Sequence, residues 1–271
     1  ADPALAQTAS APVIPASSAP PAATSTPAPF VPAATAPAAP FVPAATAPPA
    51  AFVPSPAQPT FVDYISGGCE LHLCVAIDFT GSNGDPRKPG TLHHFSRGGS
   101  LNDYEKAITA IGEILAKYDS DQKFPVWGFG AKYGGVVRHC FQCGPTSEAN
   151  GVNGIIEAYR AVFRTGLIMS GPTVFTEVIQ LAAANARRAQ EEASAKGQQA
   201  YTILLILTDG SVSDVNAAAT SLNSASDAPL SVVIVGIGTA DFSAMRFLDD
   251  FDSKRDIANF IEFNAHNHSK E

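Results

Sequence analysis

Residues 71–77 constrain the fold most, because this run of seven largely apolar residues ends directly in the carboxylate of Asp78. Apolar runs of this length, rich in Val and Ile, are typical of strands that are buried on both faces. Residues 201–207 and 230–237 form two more such runs. We therefore predict that the three runs are central strands of a parallel sheet.

Helical patterns separate these strands along the chain. Asn102, followed three residues later by Glu105, has the spacing of a capping box and predicts the start of a helix. Strands that alternate with helices predict an α/β fold, a doubly wound and mostly parallel sheet in one domain over residues 60–271. Beyond the three central strands, we predict strands over 124–130, 136–141 and 259–263, and helices from 102 and over 152–163, 173–192, 214–225 and 242–248.

The first 59 residues have a different composition. Of the 22 prolines, 16 lie at or before Pro59, and no charged residue occurs between Asp2 and Asp63. The Phe-Val-Pro unit recurs at spacings of 11 residues, beginning at Phe30, Phe41 and Phe52. Such density of proline predicts a disordered, Ala/Pro-rich linker over residues 1–59. A second interpretation is that the Phe-Val-Pro units are docking motifs for aromatic grooves.

Polar side chains follow the predicted central strands. Asp78, Thr80 and Ser82 come directly after the first, Asp209 follows the second, and Thr173 stands at the start of a predicted helix. The carboxyl ends of parallel strands meet at one sheet edge, where ligands bind. Two carboxylates and three hydroxyls suit Mg²⁺ but do not complete its coordination, which leaves a position for a partner's Asp or Glu. The alternative for Asp78, Thr80 and Ser82 is helix N-capping.

These residues resemble the metal-ion-dependent adhesion site of von Willebrand factor A domains. Asp78, Thr80 and Ser82 match that family's D-x-[ST]-x-S motif, and Thr173 and Asp209 match its single Thr and second Asp. Further segments resemble the A domain of copines in the same order along the chain. They are Phe-Val-Asp-Tyr-Ile-Ser-Gly-Gly from residue 61, Phe-Pro-Val-Trp-Gly-Phe-Gly-Ala-Lys from residue 124, Gly-Pro-Thr-Val-Phe from residue 171 and Thr-Asp-Gly from residue 208.

The resemblance implies a six-stranded Rossmann-like sheet, a bound Mg²⁺, Mn²⁺ or Ca²⁺, and recruitment of protein partners without enzymatic activity. Copines bind phospholipid with calcium through two C2 domains that precede the A domain. We identify no C2 domain in this sequence. We therefore expect no direct membrane binding by these residues, although missing C2 domains could recruit a full-length protein to membranes. A plant branch of ubiquitin ligases shares the A domain with a RING finger, and no RING cysteine pattern follows residue 263.

Net charge, cysteine spacing and the positions of the histidines further limit the functions that the sequence allows. The net charge of −8 argues against a nucleic-acid partner. Cys140 and Cys143 form a C-x-x-C without a second close pair, which favours free cytoplasmic thiols over a zinc site. The full-length protein is accordingly expected in the cytoplasm, with the inner membrane surface or the nucleus as further locations. The six histidines follow no nucleophile–base spacing, and we expect them in loops and the tail.

One enzymatic alternative uses the same segment. The sequence from Asp78 to Ser82 also looks like the loop of phosphoryl-transfer enzymes in which an Asp is the covalent nucleophile. Haloacid-dehalogenase phosphatases need a second Asp two residues later, where this chain has Thr80. The sequence therefore favours a metal-dependent binding module over a phosphoryl-transfer enzyme.

Overall fold

The computed structural model describes residues 66–119 and 121–263. The predicted linker, residues 1–59, lies outside these described residues. The strands are β1 (Glu70–Asp78), β2 (Lys123–Phe124), β3 (Val126–Phe129), β4 (Ala131–Tyr133), β5 (Val136–Arg138), β6 (Phe141–Gln142), β7 (Ala149–Asn150), β8 (Ile168–Met169), β9 (Ala200–Thr208), β10 (Leu230–Ile237) and β11 (Ala258–Phe263). The α-helices are α1 (Asp103–Leu115), α2 (Gly151–Val162), α3 (Thr176–Ser194), α4 (Val215–Ala225) and α5 (Ser243–Asp249).

Six of the strands form the main sheet, in the order β11-β10-β9-β1-β3-β6. All neighbouring pairs are parallel except β3 and β6, which are antiparallel at one edge. Strand β1 lies between β9 and β3, with Ile77 opposite Leu207 and Gly128. The predicted α/β fold with a mostly parallel, six-stranded sheet is therefore confirmed, and Asp78 lies at its carboxyl edge.

Helices cover both faces of the sheet, because the side chains of each buried strand alternate between two apolar clusters. In β1, Cys74 and Ala76 belong to the cluster that includes α3, α4 and α5, whereas Val75 and Ile77 belong to the cluster that includes α1 and α2. Both clusters include buried side chains of β1, β9 and β10 together with helix residues. The carboxyl ends of the central strands therefore lie next to a buried core on both faces.

Helix α1 begins as its sequence predicts. The Asn102 side chain accepts a hydrogen bond from the Glu105 backbone, and the Glu105 side chain accepts one from the Asn102 backbone. Arg160 on α2 donates to the buried carboxylate of Glu105 at 2.6 Å, so the cap also joins the two helices.

The predicted strand over residues 136–141 is wrong as one element. Val136–Arg138 is β5, which pairs with β4 in a separate three-stranded sheet, whereas Phe141–Gln142 is β6 at the edge of the main sheet. Gly134 and Gly135 both have positive φ angles and form the β4–β5 turn. His139 and Cys140 separate the two strands. Within the described residues, no helix combines the length and apolar character needed to cross a membrane.

Candidate metal centre

Asp78 ends β1, and its side chain is fully buried. Its Oδ1 accepts hydrogen bonds from the backbone nitrogen of Thr80 at 2.8 Å and from the Thr80 hydroxyl at 2.7 Å. Its Oδ2 accepts a hydrogen bond from the hydroxyl of Thr208, the last residue of β9, at 2.7 Å. The carboxylate is therefore oriented through both oxygens, and it links the carboxyl ends of two adjacent strands.

Two hydroxyl oxygens lie next to this carboxylate. Thr80 Oγ1 and Ser82 Oγ are 3.0 Å apart. Asn83 Nδ2 donates to Thr80 Oγ1 at 3.2 Å, and the Tyr104 hydroxyl on α1 donates to Asn83 Oδ1 at 2.7 Å. Thr80 is buried whereas Ser82 is exposed. The hydrogen bonds from Asn83 and Tyr104 thus fix this pair of oxygens on the buried side, and solvent reaches the pair at Ser82.

Hydrogen bonds also tie a third loop to this edge of the sheet. Thr80 and Ser170 form an isolated parallel bridge, in which Gly81 N donates to Ser170 O at 2.6 Å. The loop runs on to the buried Thr173, whose carbonyl accepts a hydrogen bond from Ser213 N at 2.9 Å. The loop that carries Thr173 therefore contacts both the loop after β1 and the loop after β9.

Asp209, the residue after β9, contributes a second buried carboxylate. Burial, and next the negative charge of Asp209, raise the pKa of Asp78 to about 7, although hydrogen bonds from Thr80 and Thr208 act in the opposite direction. Among residues 66–119 and 121–263, no lysine or arginine forms an ion pair with either aspartate. Two buried like charges without a cation are costly, and a divalent cation would relieve that cost.

The five predicted ligands thus lie on loops that contact one another. Asp78, Thr80 and Ser82 are joined by direct hydrogen bonds. Thr173 and Asp209 are both buried on the two other loops. Nearby, the hydroxyl of Ser170 is buried and has no hydrogen-bond partner in the described part of the chain. Coordination of an ion by these oxygens stays a prediction.

His93 lies in the loop after β1, as expected, but its side chain points into the protein interior next to Asp78. Its side chain is fully buried, with Nε2 at 2.9 Å from the Asp78 carbonyl oxygen and Nδ1 at 2.8 Å from the Tyr159 hydroxyl. Because a carbonyl can only accept, Nε2 donates and Nδ1 accepts from Tyr159. Burial lowers the pKa of His93 to about 3, so the ring is neutral.

Sequence analysis missed His93, Thr208 and Asn83. Thr208 had a signal, since it is the polar residue that follows a buried strand directly and precedes Asp209. Asn83 lies one residue beyond the motif that ends at Ser82. His93 had no signal, because its role depends on contacts with residues 15 and 66 positions away in sequence.

The two cysteines of the C-x-x-C pack on opposite faces of the main sheet. Cys143 belongs to the cluster with α1 and α2, whereas Cys140 packs against the other cluster. Both cysteines, together with Cys69 and Cys74, are free thiols. Within the described ranges, no three His, Cys, Asp or Glu side chains are grouped so that they could hold a metal ion.

Comparison with known proteins places this chain in a family. A family model described as Copine matches residues 91–271. Protein BONZAI 1 from Arabidopsis thaliana is 46% identical over 195 residues, which is 70% of this chain and 33% of that protein. Copine-E from Dictyostelium discoideum is 41% identical over 227 residues, which is 79% of this chain and 38% of that protein. The chain thus spans between a third and two fifths of the length of these relatives.

Solved structures resemble the chain at lower sequence identity. The SpRpn10 VWA domain is 13% identical with a TM-score of 0.47, and the match covers 72% of this chain and 88% of that one. The manganese-loaded Plasmodium vivax TRAP protein is 12% identical with a TM-score of 0.44, over 73% of this chain and 70% of that one. These similarities concern general architecture and not ligands. The family model and the relatives establish that the chain belongs to the copine family.

Proposed function

We propose that this chain is a protein-binding module whose contact with a partner depends on a divalent cation. Asp78, Thr80, Ser82, Thr173 and Asp209 are the proposed ligands. Mg²⁺ is the proposed ion, with Mn²⁺ or Ca²⁺ as substitutes. An Asp or Glu side chain of a partner protein completes the coordination. Membership of the copine family supports an interaction module in general, and the metal and the partner carboxylate are our inference.

The observation that carries this proposal is the pair of buried aspartates, Asp78 and Asp209, neither of which has a Lys or Arg ion-pair partner among the described residues. Asp78 and Asp209 are both buried, and the charge of Asp209 raises the pKa of Asp78. Asp78 is the last residue of β1 and Asp209 follows the last residue of β9, and the hydrogen bond from Thr208 to Asp78 joins these two strand ends. Carboxylate and hydroxyl oxygens are the hard donors that Mg²⁺ and Ca²⁺ prefer.

The residues of the chain have distinct roles in this proposal. Thr208 and the Thr80 backbone fix the plane of the Asp78 carboxylate through opposite oxygens. Thr80 and Ser82 contribute neutral oxygens, which leave more positive charge on the ion than further carboxylates would. When bound, the ion supplies a Lewis-acidic position for an incoming anion. Exposure at Ser82 gives a partner access to that position.

The phosphoryl-transfer alternative has less support. Both oxygens of Asp78 already accept hydrogen bonds, three in total, which hold the carboxylate in a binding rather than an attacking role. Among the described residues, no basic side chain hydrogen-bonds the Asp78 side chain, so no positive charge in contact with it is available to stabilise a phosphoryl group. No observation favours the alternative of a ubiquitin-ligase-associated domain.

A thermal-unfolding experiment tests the proposal. Addition of MgCl₂ or MnCl₂ to chelator-treated protein should raise the melting temperature, since a ligand at 100 times its Kd stabilises the folded state by about 2.7 kcal/mol. Asp209→Ala should abolish the rise. Asp252→Asn removes the same charge from an exposed residue outside the three loops and should preserve it. An equal rise in wild type and Asp209→Ala would refute the proposed site.

A further inference from the structure

A surface groove adjoins the proposed metal site. Its volume is about 1140 Å³, and it lies between the loop after β1 and the segment that connects α2 to β8. Gly81, Phe95, Arg97, Phe163 and Ile168 are among the residues that line it. The groove is distinct from the site in that none of the five proposed ligands lines it.

The groove and the proposed site share a wall. Gly81 stands between Thr80 and Ser82 in the sequence and lines the groove. Its backbone nitrogen donates to the Ser170 carbonyl at 2.6 Å, immediately after β8. A residue that lines the groove therefore lies directly between two of the proposed ligands in the chain. A chain that supplies a carboxylate next to Ser82 can continue directly into the groove.

One side of the groove is apolar. The rings of Phe95 and Phe163 pack edge to face, with centroids 5.3 Å apart. Ile168 on β8 is 60% exposed and lines the same groove as these two rings. It lies in a cross-strand row with Lys132 and Val137, and Val137 is 37% exposed. Lys132, which is exposed, stands between the two aliphatic side chains, so the apolar lining that the groove itself offers comes from residues such as Phe95, Phe163 and Ile168.

The lining of the groove also carries positive charge. Arg87 is neutralised locally, because it donates to both carboxylate oxygens of Asp85 at 3.0 and 2.9 Å. Arg97 is exposed, and within the described part of the chain it has neither a hydrogen-bond nor an ion-pair partner. The groove therefore presents one uncompensated cation on a protein whose net charge is −8. That contrast favours an anionic group at Arg97.

We propose that this groove binds an acidic and apolar segment of the partner protein, an inference that rests on the proposed function. One Asp or Glu of the segment completes the metal site. An apolar side chain nearby in the segment packs against Phe95, Phe163 and Ile168. A second acidic side chain pairs with Arg97. The cation can then bind any exposed carboxylate of a partner. The groove provides specificity, because it contacts the residues around that carboxylate.

A protein segment fits these features better than an anionic membrane. A recessed groove accepts single side chains, whereas a membrane surface needs several exposed cations on one face. Arg97 is the one uncompensated arginine among the described residues that line this groove. The net charge of −8 would also repel an anionic membrane at long range.

Labelled peptides of defined composition test the inference. The probes are Gly/Ser peptides that carry one Asp alone, Asp with Leu, or Asp with Leu and Glu, with the spacing between these residues varied from one to six positions. Fluorescence anisotropy with 1 mM MnCl₂ should show that one spacing of the Asp-Leu-Glu set binds at least 10-fold more tightly than the peptide with Asp alone.

Variants of the groove should remove only this preference. Arg97→Glu should weaken the preferred peptide at least 10-fold and change the Asp-only peptide less than 2-fold. It should also bind the matching Asp-Leu-Lys peptide more tightly than wild type does, which a folding defect could not produce. Ile168→Ser should remove the gain from Leu. Arg188→Glu, a control on α3 at the other face of the sheet, should change none of these affinities.

The outcomes separate the two proposals. The proposed function fails if each peptide binds as tightly with chelator as with MnCl₂. It also fails if the peptides bind Asp78→Ala as tightly as they bind wild type. If binding needs the metal but ignores Leu, Glu and the variants Arg97→Glu and Ile168→Ser, the groove inference alone fails. Absence of peptide binding, or Arg97-dependent binding to phosphatidylserine vesicles without any peptide preference, would also overturn the inference.

Discussion

At the scale of single residues, the proposed site depends on side chains that do not themselves face the ion. His93 donates to the Asp78 carbonyl and accepts from the Tyr159 hydroxyl, which in turn accepts from Asn102 Nδ2 at 3.1 Å. The chain of hydrogen bonds links the loop after β1 to the N-cap of α1 and to α2. Because every member is buried, the loss of one partner leaves another unsatisfied.

Tyr159→Phe tests this chain of hydrogen bonds. The change removes one oxygen and leaves His93 Nδ1 buried without a donor, so we expect a loss of about 1–3 kcal/mol in the free energy of unfolding. Urea denaturation measures it. Tyr133→Phe is the matched control, since no hydrogen bond of its hydroxyl occurs among the described residues, and it should change stability by less than about 0.5 kcal/mol. Equal effects of the two changes would contradict the role of Tyr159.

The buried thiols give a prediction about alkaline pH. Burial raises the pKa of Cys74 from 9.0 to about 12, so the folded protein keeps this proton where the unfolded chain releases it. Stability should therefore fall between pH 9 and pH 12, by about 1.4 kcal/mol per pH unit for this group. The slope should be smaller in Cys74→Ala. In native protein at pH 8, a thiol reagent should label the partly exposed Cys69 well before Cys74, and equal rates would refute the assignment.

At the scale of elements, the long apolar runs were predictable and the short strands were not. The composition of residues 201–207 is enough to predict a buried strand. In the structure this strand is β9, which is one residue longer at each end. The predicted helix over 173–192 instead begins at Thr176, and the backbone nitrogens of Phe175 and Thr176 donate to the Asp214 carboxylate, a partner that lies 38 or more positions away in sequence. Residues 136–141 divide between two sheets, which depends on pairing partners that periodicity does not reveal.

The same limit applies to the site. Asp78, Thr80 and Ser82 could be read from one motif, and Asp209 from its place after a buried strand. Contacts across long sequence separations, such as that between Thr208 and Asp78, could not be read because they follow from strand order. Strand order depends on how whole helices and strands pack, and a local sequence pattern does not reveal it.

Gly130 provides a test of how β3 positions the site. Its φ angle is +76°, and a Cβ atom there would collide with the methyl group of Thr80. Gly130→Ala should destabilise the fold by about 2 kcal/mol or more and weaken the response to Mg²⁺, because Thr80 must move. Calorimetry with and without the ion measures both effects.

Gly134→Ala is the control for Gly130→Ala. Gly134 also has a positive φ angle, +62°, but no atom lies within 4 Å of a Cβ placed there. The substitution should therefore cost only about 1–2 kcal/mol of backbone strain and preserve the response to Mg²⁺. A loss of that response in both variants would mean that contact with Thr80 is not the cause.

At the scale of the whole molecule, the described residues provide apolar packing on both faces of the main sheet. The two apolar clusters use residues from Leu71 onward and cover both faces of one sheet. Removal of residues 1–59 should therefore leave the melting temperature of the remainder unchanged, as scanning calorimetry would measure. A large decrease would contradict both the predicted linker and the domain boundary at residue 60.

The central claim is that one cation joins side chains from separate loops at the carboxyl edge of the sheet. The most direct measurement is a titration of chelator-treated protein with Mn²⁺, followed by electron paramagnetic resonance of the free ion. We predict one Mn²⁺ bound per chain, lost in Asp78→Ala and equally in Asp209→Ala, although these residues are 131 positions apart. Binding that survives Asp209→Ala, or no binding in the wild type, would contradict the claim.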